Sequence, residues 1–444
     1  MDESIIKGFS KYSKEQRIDA LKKKYGLDPA LEEFLKSCEA SDKSVQKIVD
    51  DLSENPISSF PFPFSIAPNF IVNGKNLFFP LVSEESSVVA ALGNAAGFWA
   101  KRGGFHVEVL GTEKKGQVHF RWCGNAEQLQ LLFPEIRAKL LADCAPLTKK
   151  MEERGGGITG IELRSLPHIL PNYYQLDASF ETCDAMGANF INSCLEQFGK
   201  SLQDYFLKSK AISDCDRECE IIMAILSNYT PESRVKACVE CPVSELLDGK
   251  TEAECEIFAR RFEVAVRISQ LDVSRAVTHN KGIFNGIDAL AVATGNDFRA
   301  IEACGHGFAA RNGHYSGLTD VQILDGKFRF SIELALAVGV VGGVTAVHPL
   351  AKLAMKILDN PSANELMMYL AVAGLASNFA AVRVLVSVGI QKGHMKMHLS
   401  NIMNQLQIPD EKRGEIQTYF QDKTVSFSAV EEFWKSYGLR DSGC

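Results

Sequence analysis

The chain has 444 residues, of which 46% are hydrophobic and 23% charged, and its formal net charge is −7. These values describe a soluble globular protein of about two or three domains, with enough core to fold without metal or disulfide. The acidic balance excludes non-specific nucleic-acid binding and leaves room for a local basic pocket.

The N-terminus, MDESIIKGFSKYSKEQR, lacks the apolar stretch of a signal peptide. EQRIDALKKKYG and PALEEFLKSCEA each carry an apolar stripe at helical spacing. The prolines of SSFPFPFSIAPNF exclude a helix interior, and NGKNLFFPLVSEE reads as a turn and a strand. Ser86 to Arg102 forms a small-residue helix, with its leading serines as expected caps. FHVEVLGTEKKGQVHFRW alternates about a turn and predicts a β-hairpin. A helix over Asn125–Cys144 follows, then strands in GGGITGIELRSL and NYYQLDASFE, then a helix over Asp184–Leu207. Asp184 is the expected cap of that helix. Gly187 leaves its backbone open to a ligand, and the free N–H groups there suit a phosphate. This order predicts a small α+β insert of about a hundred residues.

From Ser227 to about Ile390 the sequence is again small and apolar. The runs Leu334–Val347 and Leu366–Val382 are short for a membrane span and read as buried core. From Gln391 onward the chain is polar and helical, with Gly389 and Gly393 as a hinge. The twelve cysteines have no regular spacing and read as reduced, cytoplasmic thiols.

Four constellations carry charge or ligand groups. Lys281 and Asp297 lie in a small-residue, glycine-rich stretch. A partly buried ion pair and a ligand site explain them equally well by spacing alone. Glu84 and Glu85 precede a helix, where its dipole favours acids. His394 and His398 share an HxxxH spacing but lack the glutamate of a zinc motif, so no metal is expected. Cys238 and Cys241 form a lone CxxC and read as plain thiols.

Taken together, PLVSEESSVVAA, RGGG, DAMGAN, ILSN, SRAVTHNKGIFNGIDALAVATGNDFRAIEA, GHY and GIQKGHM resemble, in family order, 3-hydroxy-3-methylglutaryl-coenzyme A (HMG-CoA) reductase in its soluble class II form. The resemblance implies an α+β fold. A large, mostly helical substrate-binding domain (1–110 and 223–388) would hold an inserted ferredoxin-like cofactor domain (111–222), and residues 389–444 would form a helical flap. It implies reduction of HMG-CoA to mevalonate and coenzyme A by two reduced nicotinamides. Lys281 would stabilise the oxyanion, Glu85 would exchange protons with it, Asp297 would link the two, and His394 would protonate the departing thiolate. The three charged groups would titrate as a unit, in apolar surroundings that strengthen their field. Ser87, Asn228, Arg275 and Asn285 would bind substrate, with Arg275 on its free carboxylate. Asp184, Ala185, Met186, Gly187, Ala188 and Asn189 would face the cofactor.

Where NAD-preferring relatives carry an aspartate, the aligned position holds Thr148, followed by Lys149 and Lys150. NADPH is therefore expected over NADH. The family implies a homodimer with a shared active site, often assembled into hexamers, in the cytoplasm and with neither membrane nor nucleic acid as partner. Three departures stand out: ENPIS at Glu54–Ser58 where the family has ENVIG, Ser86 where it has proline, and Phe298 where it has tryptophan. The first bears on the shape of the substrate pocket. Two rival readings are a degradative enzyme running the same chemistry backwards and a non-catalytic coenzyme A-thioester binding protein.

Overall fold

The computed structural model describes residues 6, 8–26, 28, 30–387, 399, 402–420, 423 and 425–441. Helices α1 (Lys14–Tyr25), α2 (Leu31–Ser37) and α3 (Lys43–Asp50) lead into a hairpin of β1 (Phe64–Val72) and β2 (Lys75–Val82). Strand β1 sits in the proline-rich stretch that the sequence left without an element. A bulge between Ala67 and Phe70 accommodates Pro68, which has no N–H to give to a ladder. Helix α4 (Val88–Ala100) follows.

The expected hairpin does not form. Strand β3 (His106–Val109) pairs with β8 (Arg234–Pro242), whereas β4 (Lys114–Trp122) pairs with β6 (Tyr173–Glu181) and β7 (Cys219–Leu226). The residues between them do not close a turn. Leu110 donates its N–H to Arg234 O, and Gly111 O accepts from Arg234 N–H. Here the chain crosses from one sheet to another.

Beyond the crossing, α5 (Ala126–Glu152), β5 (Gly157–Ser165) and α6 (Ala188–Lys208) join β4, β6 and β7 in a unit with its own core, which includes Phe120, Trp122, Leu176, Phe180 and Phe198. The connectivity is βαββαβ and the strand order β5-β6-β4-β7, which is the ferredoxin-like arrangement. After Leu226 the chain returns to the other sheet, ordered β3-β8-β10-β9, with β9 (Thr319–Leu324) and β10 (Lys327–Ala335). Helices α7 (Glu252–Leu271), α8 (Val273–Ala293), α9 (Phe298–Ala309), α10 (Gly343–Val347), α11 (Pro349–Ile357) and α12 (Ala363–Ser387) complete this larger unit. Two further helices, Asp410–Tyr419 and Phe427–Asp441, belong to a separate small core that includes Met403, Ile416 and Val430.

Helix α12 is the one described helix long and apolar enough to cross a membrane, yet 61% of its most apolar window is buried inside the chain. It packs on α4, α7, α8 and β8 as the central helix. Its contact with α8 explains the glycines around Lys281. Gly282 and Gly286 lie within α8 rather than in turns, and at Gly286 the backbone admitted is that of α12. A Cβ on Gly286 would stand 2.4 Å from Ala373 O. Ser377 donates to Gly282 O, and Asn378 Nδ2 donates to His279 O.

Gly286→Ala is therefore expected to lower unfolding stability by about 1–3 kcal/mol, since backbone must move. Gly282→Ala meets nothing nearer than Asn378 Nδ2 at 3.8 Å, and helix propensity makes it neutral or stabilising. Urea unfolding of both variants checks the contrast; equal losses would contradict it.

Candidate active site

The loop between β2 and α4 carries Glu85. Ser87, expected as a side-chain cap, occupies the N-cap position of α4 but makes no capping hydrogen bond there. Its backbone is left-handed, with φ 83°. That is a costly conformation for serine, of a kind that concentrates at functional sites. Helix α8 starts at the side-chain cap of Asp272 and carries Arg275, Lys281 and Asn285. Lys281 Nζ meets Glu85 Oε2 at 2.6 Å across this gap.

The expected triad is not assembled around that pair. Asp297 caps α9, accepting from the N–H groups of Arg299 and Ala300. Its carboxylate also receives the Arg299 guanidinium at 3.2 and 3.4 Å. Burial works to raise the Asp297 pKa, but these Arg299 and backbone bonds together hold it below the usual carboxylate range. Nor is the pair enclosed in apolar surroundings. The Lys281 and Glu85 side chains are 59% and 45% exposed, so water screens them in this conformation.

Residues below the pair hold α8 rigid. Asn280 is buried; it donates to Ser316 O and accepts from Leu318 N–H. His279 Nε2 lies 2.5 Å from Thr319 Oγ1, and burial, aided by the Arg275 charge, pushes its pKa down to about 3. Asp288, one helical face along from Lys281 and Asn285, was not singled out in the sequence. Burial, then the charge of Glu302 and a hydrogen bond to it, push its carboxyl up to about 8, with Glu84 adding to the effect. Its periodicity with Lys281 on α8 was the signal available.

The Asp184–Asn189 turn joins β6 to α6. Asp184 does not cap α6: its Oδ1 accepts from Ala363 N–H at the start of α12, and its carbonyl accepts from Val340 N–H. Gly187 is the N-cap, with φ 88° and no side chain to block the helix end. Its missing Cβ also makes room for Thr182, whose Cγ2 would lie 2.4 Å from it. The first N–H groups of α6 therefore remain available to an anion, and the turn fits the phosphates of a dinucleotide.

Asn228 is exposed in the β7–β8 connection and lines a cavity with Met186, Ala188 and Ala300. Thr148 is turned into the core, its hydroxyl bonded to Ala145 O, so it presents no group to a cofactor; Lys149 and Lys150 beside it are exposed. Cys238 and Cys241 fall on opposite faces of β8, because side chains alternate along a strand. No metal-ligating cluster occurs among the described residues. His394, His398, Gly389 and Gly393 lie outside the described residues.

The Hydroxymethylglutaryl-coenzyme A reductase family model matches residues 13–399. The chain is 35% identical to the 3-hydroxy-3-methylglutaryl-coenzyme A reductase of Archaeoglobus fulgidus over 405 residues, 90% of this chain and 86% of that protein. It is 36% identical over 358 residues to the probable reductase of Borreliella burgdorferi, covering 80% and 78% of the two chains. A Streptococcus pneumoniae reductase structure superposes with TM-score 0.73 at 32% identity, covering 97% of this chain and 99% of that one. The class II enzyme of the same organism, bound to NADPH in open conformations, gives TM-score 0.71 at 35% identity over 86% of this chain and 99% of that one.

Lys281→Ala is expected to fold normally, since the side chain is exposed, and to lose at least ~10³-fold in turnover as a main oxyanion stabiliser. A variant retaining a tenth of wild-type turnover would contradict this role. Asp288 gives a pH signature. A carboxyl whose pKa is raised on folding stabilises the fold below its unfolded value of about 3.9, and that stability is lost as pH rises through about 8. Unfolding free energies measured from about pH 4 to about pH 9 should fall more steeply for wild type than for Asp288→Asn. Parallel curves would contradict the assignment.

Proposed function

The chain belongs to the hydroxymethylglutaryl-coenzyme A reductase family, and from that premise we propose that it reduces HMG-CoA to mevalonate and free coenzyme A. The Lys281–Glu85 pair at 2.6 Å carries this reading. It joins a fixed cation to a proton-exchanging carboxylate, the two groups that reduction of a thioester carbonyl requires. Reduced nicotinamide, when bound, supplies the two hydrides.

As the first hydride reaches the thioester carbon, Lys281 stabilises the oxyanion and Glu85 supplies its proton. The hemithioacetal then collapses. Its oxygen returns a proton toward Glu85, the C–S bond breaks, and the electron pair leaves on sulfur. His394, in GIQKGHM, protonates that thiolate. The aldehyde takes the second hydride at carbon and its proton through the same pair. Two hydrides and two protons are consumed, yielding an alcohol and a thiol. Arg275, six positions before Lys281 on α8, would hold the free carboxylate of the substrate together with Ser87, and Asn228 and Asn285 would complete the pocket. Asp297 joins the pair only if it turns away from Arg299.

The exposure of Lys281 and Glu85 supports a site completed by other groups. A homodimer with a shared active site would provide them, and the exposed Leu271, Val273 and Val277 beside Arg275 offer an apolar surface for that contact. The terminal segment, residues 389–444, would act as the flap over the site, and the insert, expected over 111–222 and closed by β7 at Leu226, would be the cofactor domain. NADPH is the favoured cofactor. The Streptococcus pneumoniae relative binds it, and Lys149 and Lys150, exposed at the end of α5, can attract a 2′-phosphate. The chain's free thiols suit a cytoplasmic enzyme.

The test follows cofactor absorbance near about 340 nm with HMG-CoA and, separately, mevaldehyde. Wild type should oxidise cofactor with both, and with NADPH in preference to NADH. Mevaldehyde releases no thiolate, so His394→Gln should slow HMG-CoA reduction strongly and largely spare mevaldehyde reduction. No turnover with HMG-CoA and either cofactor would overturn the function; equal losses with both substrates in a folded variant would overturn the role of His394.

A further inference from the structure

Lys114 is the only lysine or arginine buried among the described residues, at 5% exposed. It opens β4 on the strand's buried phase, in register with Val118, Phe120 and Trp122. Its ammonium donates to Thr182 Oγ1 at 2.5 Å and reaches Ala185 O only at 3.5 Å. It has no ion-pair partner among the described residues. Glu181, the neighbouring carboxylate, favours the charged ammonium without a direct ion pair, its Oε1 accepting from Cys183 N–H and its Oε2 from Thr112. Burial consequently depresses the Lys114 pKa.

A desolvated cation with one good acceptor is costly. This one also lies beside the start of α6, where free N–H groups already concentrate positive charge. It lines the cavity of about 20 Å³ that it shares with Met186, Ala188, Asn228 and Ala300. Two independent features, helix end and ammonium, thus leave the same small region short of an anion. Thr182 ties them together, receiving the ammonium on its hydroxyl and packing its methyl against the backbone of Gly187.

Resting on the function assigned above, we propose that Lys114 is a cofactor-binding residue whose ammonium neutralises a phosphate of the dinucleotide held on the Asp184–Asn189 turn. The phosphate supplies the direct ion-pair partner that Lys114 lacks among the described residues, and Thr182 positions both the ammonium and the turn.

Lys114→Met removes the charge at nearly constant volume; Lys114→Arg keeps it. NADPH affinity is measured directly, by quenching of protein fluorescence without HMG-CoA, alongside the KM for HMG-CoA. One lost charge-assisted bond predicts that Lys114→Met weakens NADPH binding about ten- to hundredfold. The KM for HMG-CoA should change less than about threefold, and Lys114→Arg should retain most of the affinity. Inorganic pyrophosphate should displace NADPH from wild type and do so more weakly from Lys114→Met. Unchanged NADPH affinity in a folded Lys114→Met would overturn the proposal. So would a Lys114→Met chain that cannot fold while Lys114→Arg folds and binds, because the charge would then serve the fold. Failure of wild type itself to bind NADPH or NADH would instead overturn the assigned function.

Discussion

Helices α8 and α12 touch backbone to backbone at Gly286, and the placement of the candidate site follows from that contact. A side chain at Gly286 would collide with Ala373 O. With that face of α8 fixed against the central helix, Lys281 is turned the other way, toward the loop that carries Glu85. Ser377 and Asn378 of α12 bond the backbone of α8 at Gly282 and His279, so the helix can neither rotate nor slide without breaking buried hydrogen bonds. The start of α12 is also held by Asp184, from the turn assigned to the cofactor. One helix therefore references both Lys281 and the turn at Asp184–Asn189.

The chain alone leaves the chemistry open to water. Lys281 and Glu85 are well exposed, and Asp297 is held by Arg299. Electrostatic stabilisation of an oxyanion is strong only where water is excluded. The proposed partner subunit, cofactor and terminal segment would each remove solvent from the pair. Components that would have to meet before the site works would also keep the hemithioacetal and aldehyde intermediates from premature release and side reactions.

Much of this was legible in the sequence. The helices of the inserted unit and its strands β5 and β6 follow from helical spacing and alternation, whereas β7 and the helix that carries Lys281 were not placed. The pairing of Lys281 with Glu85, 196 positions apart, came from motif resemblance rather than from spacing. The errors share a physical cause. Local rules assigned each polar residue to its own element, but the fold used several across elements. Asp184 caps α12 instead of α6. The β3–β4 segment crosses between sheets instead of turning back. Thr148, placed near a cofactor by alignment, belongs to the phase of α5 that faces the core. Lys114 was not singled out, although its alternation with Val118 and Phe120 marks it as buried. The glycine-rich stretch around Lys281 was open to a ligand site by spacing, and at Gly286 it is helix α12 that approaches.

The central claim, that Lys281 and Glu85 act together on the thioester oxygen, is tested most directly by a crystal structure of the chain with HMG-CoA and oxidised cofactor. The expected result is Lys281 Nζ within about 3 Å of the thioester oxygen, with Glu85 still bonded to it and both shielded from solvent. A complex with the thioester oxygen held by other groups, and Lys281 left in solvent, would contradict it.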